Sequence, residues 1–329
     1  MKGVMFRSVA LALLTLTTPV PAVAQTIGDY PNRAIRIVVP FPPGGPADLI
    51  ARFVGQKMSE DFGQPVVIEN RAGGNTAPAA QAVARAAPDG YTLFTPMDTT
   101  MVMNPLVMNN LPYDPLKDFS LITLLTKNMS LIVVRASDGP KTINELIAKA
   151  KANPGKLNMG AGTITSRLGA LLFAKEARFD AQLVPFKGSS EISQAVLSGT
   201  VDFALDSTGT SLPLIQGGQY RALAKYSTRP LPQLPSLPSI NEAAGLPDIA
   251  ESSTWIGLTG PAGMQPAIVE KLTRKVASIY ADPAIAERLE KAGITPVAST
   301  PAEFDAFIRS EGERWAKVFK DNSHIKLAD

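Results

Sequence analysis

Short apolar runs alternate with segments whose apolar residues recur every three or four positions through the first part of the chain. Ile35-Arg-Ile-Val-Val39 has strand length, and after it Ile50, Val54 and Met58, with Leu49 and Phe53 beside them, mark one face of a helix. Val66-Val-Ile68 is a second strand and an alanine-rich stretch over residues 78–86 a second helix. Pro88-Asp-Gly90 then turns the chain into the strand Tyr91-Thr-Leu-Phe94. This β-α-β-α-β order predicts a parallel sheet covered by helices, with ligands bound outside the carboxyl ends of the strands.

The same logic resumes further on. Leu131-Ile-Val-Val134 starts a new strand, and Thr142-Ile-Asn-Glu145 has the form of a capping box for a helix that Asn153-Pro-Gly155 ends. A strand over 181–186, a helix through Ile192 and Val196 and a strand over 201–205 follow. Four prolines between Thr228 and Pro238 exclude a helix or interior strand there and predict an extended surface connection. Beyond it Trp255-Ile-Gly-Leu-Thr259 is strand-like, and Ile268, Leu272, Val276 and Ile279 make a helical stripe. Asp282-Pro283 and Thr300-Pro-Ala-Glu303 are two helix starts with proline at the first helical position. A long last helix carries Phe304, Phe307, Ile308, Trp315 and Phe319 toward a core.

The start of the chain has another pattern. Lys2 and Arg7 precede the apolar run Val9 to Leu16, and Ala22-Val-Ala24 offers small residues for cleavage, so residues 1–24 are expected to be a signal peptide and the mature protein periplasmic. The rest has the size of two lobes. The expected division is lobe I over 25–125, lobe II over 126–226, and a return to lobe I over 227–329, with that second boundary as late as 252. The formal charge is +3, and losing Lys2 and Arg7 leaves +1, which gives no support to nucleic-acid binding. Cysteine is absent and the single histidine, His324, sits near the C-terminus. Ser-His-Asp and Cys-His nucleophile systems are thereby excluded and zinc is disfavoured; no cofactor or metal is expected.

Three glycine-containing loops carry the candidate chemistry, each between a strand and a helix. Phe41-Pro-Pro-Gly-Gly-Pro-Ala-Asp48 lacks the Lys-Ser/Thr of a P-loop and the third glycine of a dinucleotide fingerprint. Its glycines, with those of Asn70-Arg-Ala-Gly-Gly-Asn-Thr76, place backbone N–H groups at helix starts, a site suited to a carboxylate. Asp48 either caps its helix or orients a bound water. Arg71 is either a carboxylate partner or a surface salt-bridge residue. In Gly160-Ala-Gly-Thr-Ile-Thr-Ser166, one of the hydroxyls of Thr163, Thr165 and Ser166 is expected to cap the helix and leave the others free. Asp206, at the end of a buried-looking strand, can accept from a ligand hydroxyl or amine, hold a water, or serve the hinge.

Across the chain, Val38-Val-Pro-Phe41 with Gly44-Gly45 and Asp48, Glu69-Asn-Arg71, Pro88-Asp-Gly-Tyr-Thr-Leu93, Leu111-Pro-Tyr-Asp-Pro115, Pro185-Phe-Lys-Gly188, Asp206-Ser207, Arg221-Ala-Leu-Ala224 and Pro261-Ala-Gly263 occur in order. This set resembles the tripartite tricarboxylate transporter substrate-binding family, also called Bug proteins, from about Tyr30 to Phe319. The resemblance implies an α/β, two-lobed periplasmic-binding-protein (type II-like) fold, each lobe a mixed sheet flanked by helices. It also implies a monomer that closes on a small organic acid in the cleft between lobes and hands it to a membrane permease. The carboxylate-binding loops it implies are Phe41 to Asp48, including Pro43, Gly44 and Gly45, and Ala72 to Thr76, including Gly73 and Asn75. From the second lobe it implies Gly162, Thr163, Thr165, Ser166, Lys187 and Asp206.

Two departures stand out. A gapless comparison places Asn75 and Thr76 where the family has glycine, which suggests direct side-chain contacts with ligand. Arg167 replaces a frequent histidine, and either pairs with the far carboxylate of a diacid or lies outside the cleft. The rival readings are an exported α/β enzyme using Asp48, Asp206 or Lys187, and a ligand-sensing partner of a membrane sensor kinase.

Overall fold

Two mixed sheets share one long strand in the computed structural model, which describes residues 29–246 and 252–322. The expected signal peptide and His324 lie outside the described residues. The first sheet begins with β1 (Ile35–Val39), α1 (Pro46–Phe62), β2 (Val66–Asn70), α2 (Ala77–Ala84), β3 (Thr92–Phe94) and the short α3 (Asn104–Val107), after which β4 (Phe119–Arg135) leaves it. The second is built from α4 (Ile143–Ala152), β5 (Asn158–Ala161), α5 (Ile164–Glu176), β6 (Gln182–Pro185), α6 (Ser189–Ser198), β7 (Phe203–Ser207), α7 (Thr208–Gln216), β8 (Tyr220–Lys225) and α8 (Ile240–Ala244). The chain returns as β9 (Ser253–Pro261), α9 (Pro266–Tyr280), α10 (Pro283–Lys291), β10 (Thr295–Pro296) and α11 (Pro301–Asp321).

β1 lies between β2 and β3, parallel to both, as the alternation of strands and helices requires. Ile50, Val54 and Met58 of α1 are buried, but Leu49 is exposed, so the apolar stripe is narrower than its sequence. β5 pairs in parallel with both β6 and β7, and the antiparallel β4, β8 and β9 complete two mixed sheets. This is a two-lobed periplasmic-binding-protein architecture.

β4 is longer than the apolar run that announces it. Its first part pairs with β9 from Phe119 opposite Pro261 to Met129 opposite Ser253, and from Ser130 onward it pairs with β7 and β8. The register shifts twice along β9, between Leu121 and Thr123 and between Leu124 and Thr126. Such bulges break the period-two alternation by which a strand is recognised. Buried Thr126, Asn128 and Ser130 interrupt the apolar pattern where the partner changes.

Residues 227–246 stay with the second sheet. The Lys225 N–H donates to the Pro238 carbonyl (3.0 Å), and the Asn144 side chain donates to the Ala243 carbonyl (3.1 Å). The chain rejoins the first sheet at β9. There Trp255 packs edge-on against Phe304 and Phe307 of α11. A Cβ at Gly257 would overlap the Phe304 ring, so the close seating of α11 on β9 depends on that glycine. Phe304, Ile308 and Trp315 are fully buried, each stabilising the fold by about 1.5–3 kcal/mol relative to exposure. No helix among the described residues is long and apolar enough to cross a membrane.

Candidate functional site

The carboxyl ends of the central strands of both sheets open onto one cleft, which has two chambers. The first is lined by Phe41, Pro42, Gly45, Pro46 and Ala47 from the start of α1, by Gly162, Thr163 and Ser166 from α5, and by Gly188, Ser189, Ser190 and Ile192 from α6. Leu205, Asp206 and Ser207 from β7, with Met97, Ser130 and Thr254, complete it. About 520 Å³ of space lies between these walls, counting the open solvent at its mouth. The second chamber is lined by Gly73 to Thr76, Thr99, Arg167, Phe186, Lys187 and Glu191 among others, and shares Phe41, Gly162 and Thr163 with the first. The first two loops, read in the sequence as one clamp, thus face separate chambers that meet at Phe41.

Helix starts dominate the first chamber. Gly45 is the N-cap of α1, Gly188 of α6 and Ser207 of α7, and none of these three helices has a side-chain cap. Each therefore presents unsatisfied backbone N–H groups and the positive end of its dipole. Three such ends at one cavity offer N–H donors to an anion, with no lysine or arginine among the described residues of its wall.

Asp48 sits one turn inside α1 but lines neither chamber. Its carboxylate accepts from the Gly44 N–H (3.0 Å), Arg52 Nε (3.0 Å) and Asn70 Nδ2 (2.9 Å). It is neither the N-cap nor a cavity wall, but the tie between the first loop, α1 and the end of β2. Burial opposes its ionisation, yet hydrogen bonds from Arg52, Gly44 and Asn70 outweigh that and hold its pKa below the usual carboxylate value. Pro43, Gly44 and Ala72 are exposed and also line neither chamber. Arg71 pairs with Glu69 on the surface.

The second loop is strained and clamped. Asn75 (φ 47°) and Thr76 (φ 71°) both occupy the left-handed region, which glycine enters without penalty and threonine rarely enters. Asn104 Nδ2 donates to the Asn75 carbonyl (2.7 Å), to Thr76 Oγ1 (3.4 Å) and to the Tyr113 hydroxyl (2.9 Å). Tyr113 in turn donates to the Thr100 carbonyl (2.7 Å), and the hydroxyls of Thr76 and Thr100 are 2.9 Å apart. The Thr76 hydroxyl, expected to reach for ligand, is occupied in this network. Asn75 lines the second chamber with its backbone fixed from behind.

The third loop corrects another expectation. Thr163 and Ser166 form a reciprocal capping box, and Ser166 Oγ also accepts from the Gly162 N–H (3.1 Å). Thr165 turns away from both chambers and donates to Asp98 of the first lobe. All three hydroxyls are therefore engaged, so the loop offers shape and apolar surface rather than free donors.

Arg167 lies in the wall of the second chamber, not outside the cleft. Its Nη2 is 3.4 Å from the Gly162 carbonyl and 3.5 Å from that of Phe186, and burial lowers the guanidinium pKa. Lys187 is exposed at the rim, with its backbone N–H donating to Glu191 (3.0 Å).

Among the described residues, Asp206 is the only ionisable side chain lining the first chamber. It is 3 % exposed, and burial raises its pKa to about 6, opposed by the hydrogen bond from Ser211 and by the nearby Ser189 hydroxyl and Ser207 N–H. Sequence reasoning missed Met97, Ser130, Ser189, Ser190 and Thr254 as wall residues. Ser189 and Ser190 follow Gly188 at a helix start and were findable by that rule; Ser130 and Thr254 become visible only once β4 and β9 are paired. Asp98 carries no local signal.

A family described as "Tripartite tricarboxylate transporter family receptor" matches residues 50–323. The chain is 37 % identical to a protein encoded in the tcbD-tcbE intergenic region of Pseudomonas sp. (strain P51), over 94 % of this chain and 91 % of that one. Among solved structures it is similar to Rpa4515 of R. palustris with adipate, at 32 % identity and TM-score 0.85 over 89 % of this chain and 98 % of that one. It is also similar to MatC of Rhodopseudomonas palustris with bound malate, at 31 % identity and TM-score 0.81 over 88 % and 99 %. The protein belongs to the tripartite tricarboxylate transporter receptor family, as a solute-binding protein and not an enzyme.

Proposed function

We propose that the protein captures a small organic acid in the first chamber by hinge closure, in the periplasm, and delivers it to a membrane permease of the tripartite tricarboxylate type. The observation that carries this reading is the convergence of three uncapped helix starts, α1 from one lobe and α6 and α7 from the other, on a single cavity. A carboxylate there receives backbone N–H groups from both lobes, so its binding favours the closed form. The hinge lies where β4 changes partner after Met129 and where the chain leaves β8 and enters β9. The second chamber, with Arg167 and Lys187, receives the far end of a longer acid. The adipate and malate of the two R. palustris structures support a carboxylate as the class.

A thermal-shift panel of mono-, di- and tricarboxylates tests the reading, because a ligand that binds only the folded form raises its apparent stability. One or more acids should raise the melting temperature and be recovered unchanged after incubation. A flat panel, or turnover of the acid, overturns it.

A further inference from the structure

Asp206 is out of place in a cavity built for an anion. An ionised carboxylate among converging helix starts competes with the ligand carboxylate for the same N–H groups and repels it. A chamber selecting a simple carboxylate is better without it. Yet the side chain is 3 % exposed, at the end of β7, with no lysine or arginine among the described residues of the surrounding wall.

Its two oxygens are used differently. Oδ2 accepts from Ser211 Oγ (3.2 Å) of α7. Oδ1 is buried and has no hydrogen-bond partner among the described residues. The Ser207 and Thr254 hydroxyls, in the same wall, are likewise buried without partners among the described residues. Unpaired buried polar atoms are costly, and three that line one cavity are explained when a ligand supplies the missing partners. The ordinary alternative, a fold-stabilising carboxylate, is met by Asp48, whose oxygens are fully engaged.

We infer that Asp206 is a specificity residue that selects organic acids carrying a hydroxyl or ammonium group close to the bound carboxylate. This deepens the proposed capture of an organic acid and rests on it. The carboxylate sits at the starts of α1 and α6, and the adjacent O–H or N–H donates to Asp206 Oδ1. An ammonium group also neutralises the charge that Asp206 brings into the chamber. Acids without such a donor leave Oδ1 unpaired beside their own negative charge. With a pKa of about 6, Asp206 is mostly ionised at neutral pH and so acts as an acceptor there.

Calorimetric titration at neutral pH with the matched trios succinate, malate and aspartate, and glutarate, 2-hydroxyglutarate and glutamate, tests this on the wild-type protein and on Asp206→Asn. The donor-bearing members should bind about 10- to 100-fold tighter than the donor-free member of their trio. Asp206→Asn should reduce or abolish that preference, most for the ammonium acid. The inference is overturned if succinate or glutarate binds as tightly as its partners, or if Asp206→Asn, still folded by its melting curve, weakens all three alike. It is also overturned if no trio member binds while other, donor-free carboxylates do; in each of these cases capture of an organic acid stands. Binding of no carboxylate at all removes both. The wild-type comparison decides even if Asp206→Asn does not fold.

Discussion

Thr165 of the second lobe donates a hydrogen bond to the carboxylate of Asp98 of the first, and both side chains are fully buried. Asp98 Oδ1 has no hydrogen-bond partner among the described residues, and burial raises the pKa of this carboxyl to about 7, with Glu311 adding like charge and the Thr165 hydrogen bond opposing. A folded pKa above the unfolded value near 3.8 means that the native state holds a proton the unfolded chain has released. The stability this contributes is complete below about pH 4 and is lost as pH rises through about 7. Asp206 acts in the same direction at a slightly lower pH. Urea denaturation should therefore show stability falling between about pH 4 and 7, at up to about 1.4 kcal/mol per pH unit for each such group. Asp98→Asn keeps an acceptor for Thr165 and should flatten that slope; an unchanged slope contradicts the assignment.

The second loop makes opposite predictions for neighbouring residues. Asn75→Gly relieves a left-handed conformation and loses no protein hydrogen bond of the side chain, so it should stabilise by about 0.5–1 kcal/mol. Thr76→Gly gives up the contacts to Thr100 and Asn104 and should be neutral to destabilising by about 1 kcal/mol. Asn104→Ala removes the clamp behind both and should cost about 2–3 kcal/mol, with weaker ligand binding as the loop relaxes. Melting curves of the three variants check the order.

Gly188 approaches the first lobe from the second. A Cβ there would lie 3.3 Å from Pro42 Cδ and 3.8 Å from Phe41 Cδ1, although the backbone (φ 174°) is extended and open to any residue. Gly188→Val therefore meets its obstacle only across the cleft. Ligand affinity should fall about tenfold or more, from an overpacking cost of about 1–3 kcal/mol, with the melting temperature of the ligand-free protein nearly unchanged. Equal affinity in calorimetry would mean that closure does not bring these surfaces together.

Arg167 separates the roles of the chambers. Arg167→Ala should weaken diacids long enough to reach the second chamber by about tenfold and leave short monoacids unaffected. Equal affinity of both classes for variant and wild type would remove the ligand role.

Much of the fold was legible because local rules governed it. The stripe Ile50, Val54 and Met58, the capping residues Thr142 and Thr300 and the proline-rich connection after Thr228 are each set by neighbours in sequence. The full length of β4 was not legible, since two register shifts and buried Thr126, Asn128 and Ser130 disguise a strand that only its partners define. In the site, the glycine loops and Asp206 could be placed at strand ends, but the direction of a hydroxyl could not. Thr76, Thr163, Thr165 and Ser166 all satisfy protein groups, and each of those partners comes into reach only through the fold or the helix start itself. The divided cleft is likewise a product of Phe41 projecting where the two lobes meet.

The most direct measurement is a crystal structure grown with the acid that most raises the melting temperature. A carboxylate within about 3 Å of backbone N–H groups at the starts of α1 and α6, touched by both lobes, is the predicted result. An acid bound outside the first chamber, or one whose carboxylate faces solvent between parted lobes, would contradict it.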